Sequence, residues 1–170
     1  MLTGPKRKSI LNPKLLEHAD IPLWRRKLRD SGRRLVVTNG CFDVLHVGHV
    51  RYLGQARALG DVLLVLLNGD ASVRKLKGEG RPINPAEDRA EVLAALAAVD
   101  AVAIFDTPRC DDLLRLAGPD VYVKGGDYTP ESLDSGERAA LEACGAEIRI
   151  LPLVPGRSTT ATIGRMRGGG

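Results

Sequence analysis

A chain of 170 residues is long enough for one domain with a real hydrophobic core. No apolar run approaches the roughly 18 residues of a membrane helix and no apolar signal segment follows the basic start, so a cytoplasmic protein without a membrane partner is expected. The three cysteines, Cys41, Cys110 and Cys144, lie far apart with no C-x-x-C pair, which argues against both a disulfide framework and a zinc site. The net charge of +4 is uneven: the first 34 residues hold the basic surplus and the remainder is mildly acidic.

The opening arm, residues 1–19, carries Gly4-Pro5 and Asn12-Pro13 and is expected to be loosely ordered, with at most one turn at Leu15-Leu16. The basic segment 1–34 lacks interleaved aromatics apart from Trp24, so a solvated or subunit-contacting arm is preferred to a nucleic-acid-binding one. A helix is expected from Asp20 to Asp30, packing through Ile21, Trp24 and Leu28; arm and helix together make a first unit, residues 1–32. Leu35–Thr38 reads as a buried strand broken by Asn39-Gly40. Two histidines follow, His46 and His49 with Gly48 between them, as a helix opens. That layout of strand, turn and helix start suits phosphate: unpaired N–H groups, a positive dipole end and a glycine that allows close approach.

Val62–Leu67 is apolar at every position, as in a parallel strand covered on both faces, and ends at Asn68-Gly69-Asp70. The basic stretch Arg74–Arg81 reads as a loop over the site. Asn84-Pro85 with Glu87 starts a helix whose buried stripe is expected to be Val92, Leu93, Leu96 and Val99. Ala101–Phe105 is a third strand, followed by a short helix from Thr107-Pro108. Val121–Val123 is a fourth, stopping at Lys124-Gly125-Gly126-Asp127. A helix from about Gly136 to Cys144, a strand Glu147–Leu151 and a last helix capped by Ser158 complete the chain. The alternation predicts an α/β fold, a doubly wound five-stranded parallel sheet, with ligands at the carboxyl ends of the strands.

On that sheet Asn39, Gly40, Asp43, His46 and His49 follow the first strand, and Asn68 and Asp70 the second. Lys124, Gly126 and Asp127 follow the fourth, and Ser158, Thr159 and Thr160 the fifth. All fall on one edge. For the histidine pair, phosphate contact is preferred to plain helix capping and to metal ligation, since no third ligand has recognised spacing. Arg89 faces inward in a positive first turn, which either a carboxylate or, better, an anionic ligand would justify. Lys75 and Lys77 are either solvated or ligand-touching. Cys41 reads as a small buried thiol before a reactive one. Neither the GxGxxG fingerprint nor the Walker lysine motif is present, and no nucleophile has a spaced base partner. Direct displacement at phosphorus, through positioning and charge stabilisation, is the chemistry these residues favour.

TNGCFDVLHVGH and the later RSTTATI resemble the cytidylyltransferase-like nucleotidyltransferases, whose signature is H-x-G-H in a Rossmann-like fold. With RPINPAEDRAEVLAAL, VKGGDY and GRSTT, the chain looks like the D-glycero-β-D-manno-heptose 1-phosphate adenylyltransferases over about residues 33–167, making 33–170 the nucleotidyltransferase domain. The resemblance implies ATP and a sugar 1-phosphate as substrates, Mg2+ brought with ATP, and a homodimer or higher homo-oligomer. It places His46, His49 and Lys75 in catalysis, with Asn39, Gly40, Cys41, Phe42, Gly48, His49, Arg89, Gly126, Asp127, Ser158, Thr159 and Thr160 on the nucleotide. Asp43, Asn68, Asp70, Lys77 and Lys124 would serve the sugar phosphate, and no protein-held metal is expected. Bifunctional members carry a sugar kinase ahead of this domain; a short basic arm here leads to the expectation of a separate kinase. Gly69 stands where relatives usually have Ser, removing a possible hydroxyl contact. A CTP-dependent transfer to glycerol 3-phosphate and a silent nucleotide-binding module are the alternatives.

Overall fold

Five segments rich in Val, Leu and Ile form a single parallel sheet: β1 Leu35–Gly40, β2 Val62–Asn68, β3 Ala101–Phe105, β4 Val121–Gly125 and β5 Glu147–Leu151. The structure, a computed structural model, describes residues 12–126, 128–152, 155 and 159–167. The strand order is β3-β2-β1-β4-β5. The chain therefore winds outward from β1 in one direction and then, from β4, in the other. β2 is buried along its whole length, as its unbroken apolar run requires.

Among the described residues seven α-helices accompany the strands: α1 Ile21–Asp30, α2 Val47–Arg57, α3 Asp70–Lys77, α4 Ala86–Ala95, α5 Asp111–Ala117, α6 Ser135–Cys144 and α7 Thr159–Arg167. Alternate strand residues feed two cores, because successive side chains leave opposite faces. Leu35, Val37, Leu64, Leu66 and Tyr122 pack with α1, α5 and α6. Val36, Leu63, Val65, Val121 and Val123 pack with α2 and α4. The doubly wound reading holds.

Three local expectations need correction. The Leu15-Leu16 stretch is not a loose turn: it runs beside β3, with Leu16 N–H on the Val102 carbonyl and Val102 N–H on the Lys14 carbonyl, both at 2.8 Å. An otherwise open sheet edge is thereby covered. The basic stretch expected as a loop is divided. Its first part lies in α3, which has Asp70 in its first turn, Arg74, Lys75 and Lys77 in its last, and Gly78 at φ 88° to stop it. That charge order follows the helix dipole, and glycine takes the left-handed C-terminal position without strain. In α4 the buried face is Ala86, Arg89, Ala90, Leu93 and Ala94. Val92 is half exposed, since one residue from Leu93 turns it about 100° away. At Gly69 a Cβ would meet only the carboxylate of Asp106, an exposed side chain that can swing aside.

Candidate active site

A cleft of about 870 Å3 opens at the carboxyl ends of the strands, over the β1/β4 boundary where the winding reverses. Ligands of doubly wound sheets collect at such a boundary. Two flanks make it. One is the start of α2 with the ends of β1 and β2; the other is the end of β4 with the starts of α5 and α6.

On the first flank, β1 ends at Gly40 and the chain turns sharply through Phe42, which adopts φ 43°. Gly40 is required here, because a Cβ would stand 2.8 Å from the Phe42 ring. That ring packs on His49, centroids 5.3 Å apart. His46 is the N-cap of α2: its Nδ1 accepts the Gly48 N–H at 3.1 Å, while the His46 N–H reaches back to His49 Nδ1 at 3.3 Å. The imidazoles thus cap the helix reciprocally, as a Ser/Glu box would elsewhere. Since both Nδ1 atoms accept, this network assigns the proton of each neutral ring to Nε2. The rings lie 3.9 Å apart and tilt by 31°. Burial, then the neighbouring His46 and Lys77, pulls the His49 pKa down to about 4. His49 is therefore a neutral donor at pH 7. Behind it, Tyr52 ties α2 to two strands, accepting from Thr38 at 2.7 Å and donating to the Val123 carbonyl at 3.2 Å.

Asp43 and Arg89 hold this flank from behind. The Asp43 carboxylate accepts from Arg81 Nε at 2.6 Å and from the backbone N–H groups of Ile83 and Asn84. Burial alone would raise its pKa, but those donors outweigh burial and lower it. Arg89 is buried, and its guanidinium is spent on the carbonyls of Asn84, Cys41 and Asn68 and on Asp70 at 2.9 Å. The carboxylate reading of Arg89 is the correct one: it staples the turns after β1 and β2 and does not line the cleft. Asp70 is its partner and likewise stays outside. Lys77 and Arg81 line the cleft, whereas Lys75 is exposed and does not, so its catalytic assignment is not supported. Two residues apart on a helix, the lysines point about 200° apart.

The second flank is a buried polar cluster. Asn39 Oδ1 accepts from Tyr122 Oη at 2.8 Å and Lys124 Nζ at 3.1 Å, and its Nδ2 donates toward Cys110 Sγ and Glu137 Oε1. Burial, reinforced by Glu137, pushes the Cys110 thiol and the Tyr122 phenol well above their usual ranges, so both stay protonated. Lys124 also lies 5.2 Å from the Tyr128 ring centre.

Of the residues singled out from sequence, the cleft gathers Asn39, Gly40, Cys41, Phe42, Asp43, His46, Gly48, His49, Asn68, Lys77, Lys124 and Thr159. Thr159 Oγ1 donates to the Val44 carbonyl, which sets the start of α7 beside the first flank. Cys41 is half-buried, and burial raises its thiol pKa. Asn68 is buried with its amide on Ser72. Gly126 takes φ 113° and spends its N–H on the Leu151 carbonyl, leaving Gly125 to line the cleft. Asp127 and Ser158, the arm residues 1–11 and the Thr160 side chain lie outside the described residues. Sequence reading missed Arg81, Arg109, Tyr122 and Glu137. The only signal was Glu137 at an otherwise apolar inward position of α6, between Leu133 and Ala140. Among the described residues no three His, Cys, Asp or Glu converge as metal ligands, and no helix is long and apolar enough to cross a membrane.

The chain matches the cytidylyltransferase-like family over residues 37–160. It is 53% identical to the bifunctional protein HldE of Methylococcus capsulatus over 98% of its length, and 46% identical to that of Nitratiruptor sp. over 95%. It spans about a third of the length of those curated relatives, 34% in each case. A solved lipopolysaccharide core biosynthesis protein from Thermoplasma volcanium superposes with TM-score 0.59 at 26% identity, covering 72% of this chain and 98% of that one. A pantoate–β-alanine ligase from Francisella tularensis shares the fold, with TM-score 0.56 at 13% identity, over 86% of this chain and 68% of its own.

Proposed function

Because the chain belongs to the cytidylyltransferase-like family, we propose that it transfers AMP from ATP to D-glycero-β-D-manno-heptose 1-phosphate, giving ADP-heptose and pyrophosphate. The likeness to a lipopolysaccharide core biosynthesis protein supports a sugar acceptor. The observation that carries the reading is the imidazole pair, fixed through Nδ1 at the start of α2 with Nε2–H as its donor atoms. An oxygen of the sugar phosphate attacks the α-phosphorus. The new P–O bond forms as the bond to the bridging oxygen of pyrophosphate breaks, and pyrophosphate leaves with the electron pair. A phosphate monoester loses its second proton at about pH 6, so the nucleophile needs no base. The work left to the protein is alignment and stabilisation of developing charge. His46 and His49 donate to the α-phosphate, and a polyanion beside them favours their protonation. Lys77 and Arg81 face the β- and γ-phosphates. Thr159, with Ser158 and Thr160 from the same stretch and Asp127 after β4, belongs to the nucleotide; Lys124 meets the acceptor phosphate. Mg2+ enters with ATP, held by the triphosphate oxygens.

Pyrophosphate release tests this, with ATP and CTP each offered heptose 1-phosphates, other sugar 1-phosphates and glycerol 3-phosphate. ATP with a heptose 1-phosphate is the expected pair. Release only with CTP and glycerol 3-phosphate overturns the reading, and ATP binding without release from any acceptor makes the chain a silent nucleotide-binding module.

A further inference from the structure

We infer that Glu137 reads the acceptor sugar: its carboxylate accepts a hydroxyl hydrogen of the polyol and holds the sugar between the starts of α5 and α6. This rests on the sugar-phosphate reading above. Glu137 is 7% exposed, yet it lines the cleft. A buried carboxylate is costly unless well bonded, and good charge-assisted bonds run about 2.7–2.9 Å. Here every contact is long. Oε1 has Asn39 Nδ2 at 3.3 Å and the Cys110 thiol at 3.4 Å. Oε2 has Tyr122 Oη and Lys124 Nζ, each at 3.5 Å.

Donor bookkeeping weakens this further. The single hydrogen of Tyr122 goes to Asn39 Oδ1 at 2.8 Å, so the phenol cannot also donate to Glu137. Lys124 has its shorter bond to the same Asn39 oxygen. Oε2 is thus a buried anionic oxygen with one long donor and room for another. Of the other acids at the starts of α5 and α6, Asp134 is already committed, its Oδ1 capping α6 through the Gly136 N–H at 2.8 Å and its Oδ2 paired with Arg109 at 3.0 Å, and Asp111, whose Oδ1 is buried without a partner, does not line the cleft.

The chemistry of the site selects the occupant. A carboxylate repels phosphate and welcomes hydroxyl donors. The triphosphate end lies across the cleft, where the imidazoles, Lys77 and Thr159 gather. Lys124 stands between the two, reaching Asn39 and Glu137 from the end of β4. A sugar 1-phosphate bridging the span would put phosphate by the lysine and hydroxyls on Glu137.

The test uses E137Q, which keeps size and shape and replaces an anionic acceptor by a half-donor. Its KM for the sugar 1-phosphate rises about tenfold to a hundredfold, as for a bond to a charged group, while KM for ATP stays within twofold. A panel of singly deoxygenated sugar 1-phosphates supplies the second readout, one that a purely structural role would not move. On the parent protein one deoxy position loses at least tenfold in kcat/KM, and on E137Q that penalty falls to within twofold. A rise in KM for ATP instead, or a deoxy profile unchanged by the substitution, overturns the assignment. Should E137Q not fold, the panel on the parent protein decides alone: if no hydroxyl costs more than threefold when removed, Glu137 reads none. Failure of the parent to use any sugar 1-phosphate with ATP would sink the functional reading itself, a separate result.

Discussion

The two flanks of the cleft are built on different principles. The α2 flank comes from contiguous chain, Asn39 to His49, whose turn, cap and donors sit within a few residues of one another. The α6 flank collects Asn39, Cys110, Tyr122, Lys124 and Glu137, residues up to 98 positions apart, into one hydrogen-bonded cluster. A local motif fixes donor direction through backbone geometry, which suits a reaction that is the same for every acceptor. A long-range cluster can be altered one residue at a time without disturbing that geometry, which suits acceptor choice. The difference predicts that damage to the first flank lowers kcat or stability, and damage to the second shifts KM for one substrate.

The largest effect should come from the staple behind the α2 flank. Arg89→Met leaves the Cys41 and Asn68 carbonyls and Asp70 without their shared partner, and should cost about 3–5 kcal/mol in chemical denaturation. Wild-type-like stability would mean that Arg89 is there for ligand after all. Next, His49→Ala should leave the fold nearly intact and drop kcat by about a hundredfold, the usual loss for one charge-stabilising donor. Retention of more than half the turnover would remove the imidazoles from the chemistry.

What the sequence made legible follows the same division. The sheet and the convergence at its carboxyl edge could be read from hydrophobic period and turn residues, because a strand's register and a helix start are local properties. The histidine pair was legible for the same reason: its partners are the neighbouring amides. Arg89 was read as inward-facing with a carboxylate partner placed second to an anionic ligand, since the carbonyls it also satisfies belong to turns brought together only by the sheet. Lys75 and Lys77 could not be told apart until Asp70–Lys77 was known to be helical, although the acid-first, base-last order and Gly78 were available as signals. Glu137 left one faint signal, a carboxylate on the inward face of α6, but nothing in the sequence says that this third residue of the helix will sit under the end of β1.

Smaller effects sharpen the contrast. Gly40→Ala pushes a methyl into the Phe42 ring and through it against His49; a loss of about 1–2 kcal/mol with a lower kcat is expected. Tyr122→Phe removes the donor to Asn39 Oδ1 and should cost only about 1 kcal/mol, with kcat unchanged and KM for the acceptor raised. The two substitutions differ little in stability. Should both depress kcat equally, the division of labour between the flanks is wrong.

The gentlest probe is pH. The His49 pKa is held near 4, below its ordinary 6.5, first by burial and then by His46 and Lys77. As pH falls from 6.5 toward 4 the unfolded chain takes up this proton and the folded chain does not, so stability falls with acidification across that window. Asp43 acts lower down: its pKa is depressed from 3.8, so the stability it contributes is present above that value and is lost only as pH drops below it. His49→Gln separates the two, because glutamine at this position can still reach back to the His46 N–H and keep the cap. Denaturation between pH 7 and 4.5 should show a shallower loss for His49→Gln than for the parent chain, with the steeper fall below pH 3.8 common to both. Parallel curves throughout would mean that the imidazole is not shielded from protons, and that donation from a neutral ring is the wrong starting state for the α2 flank.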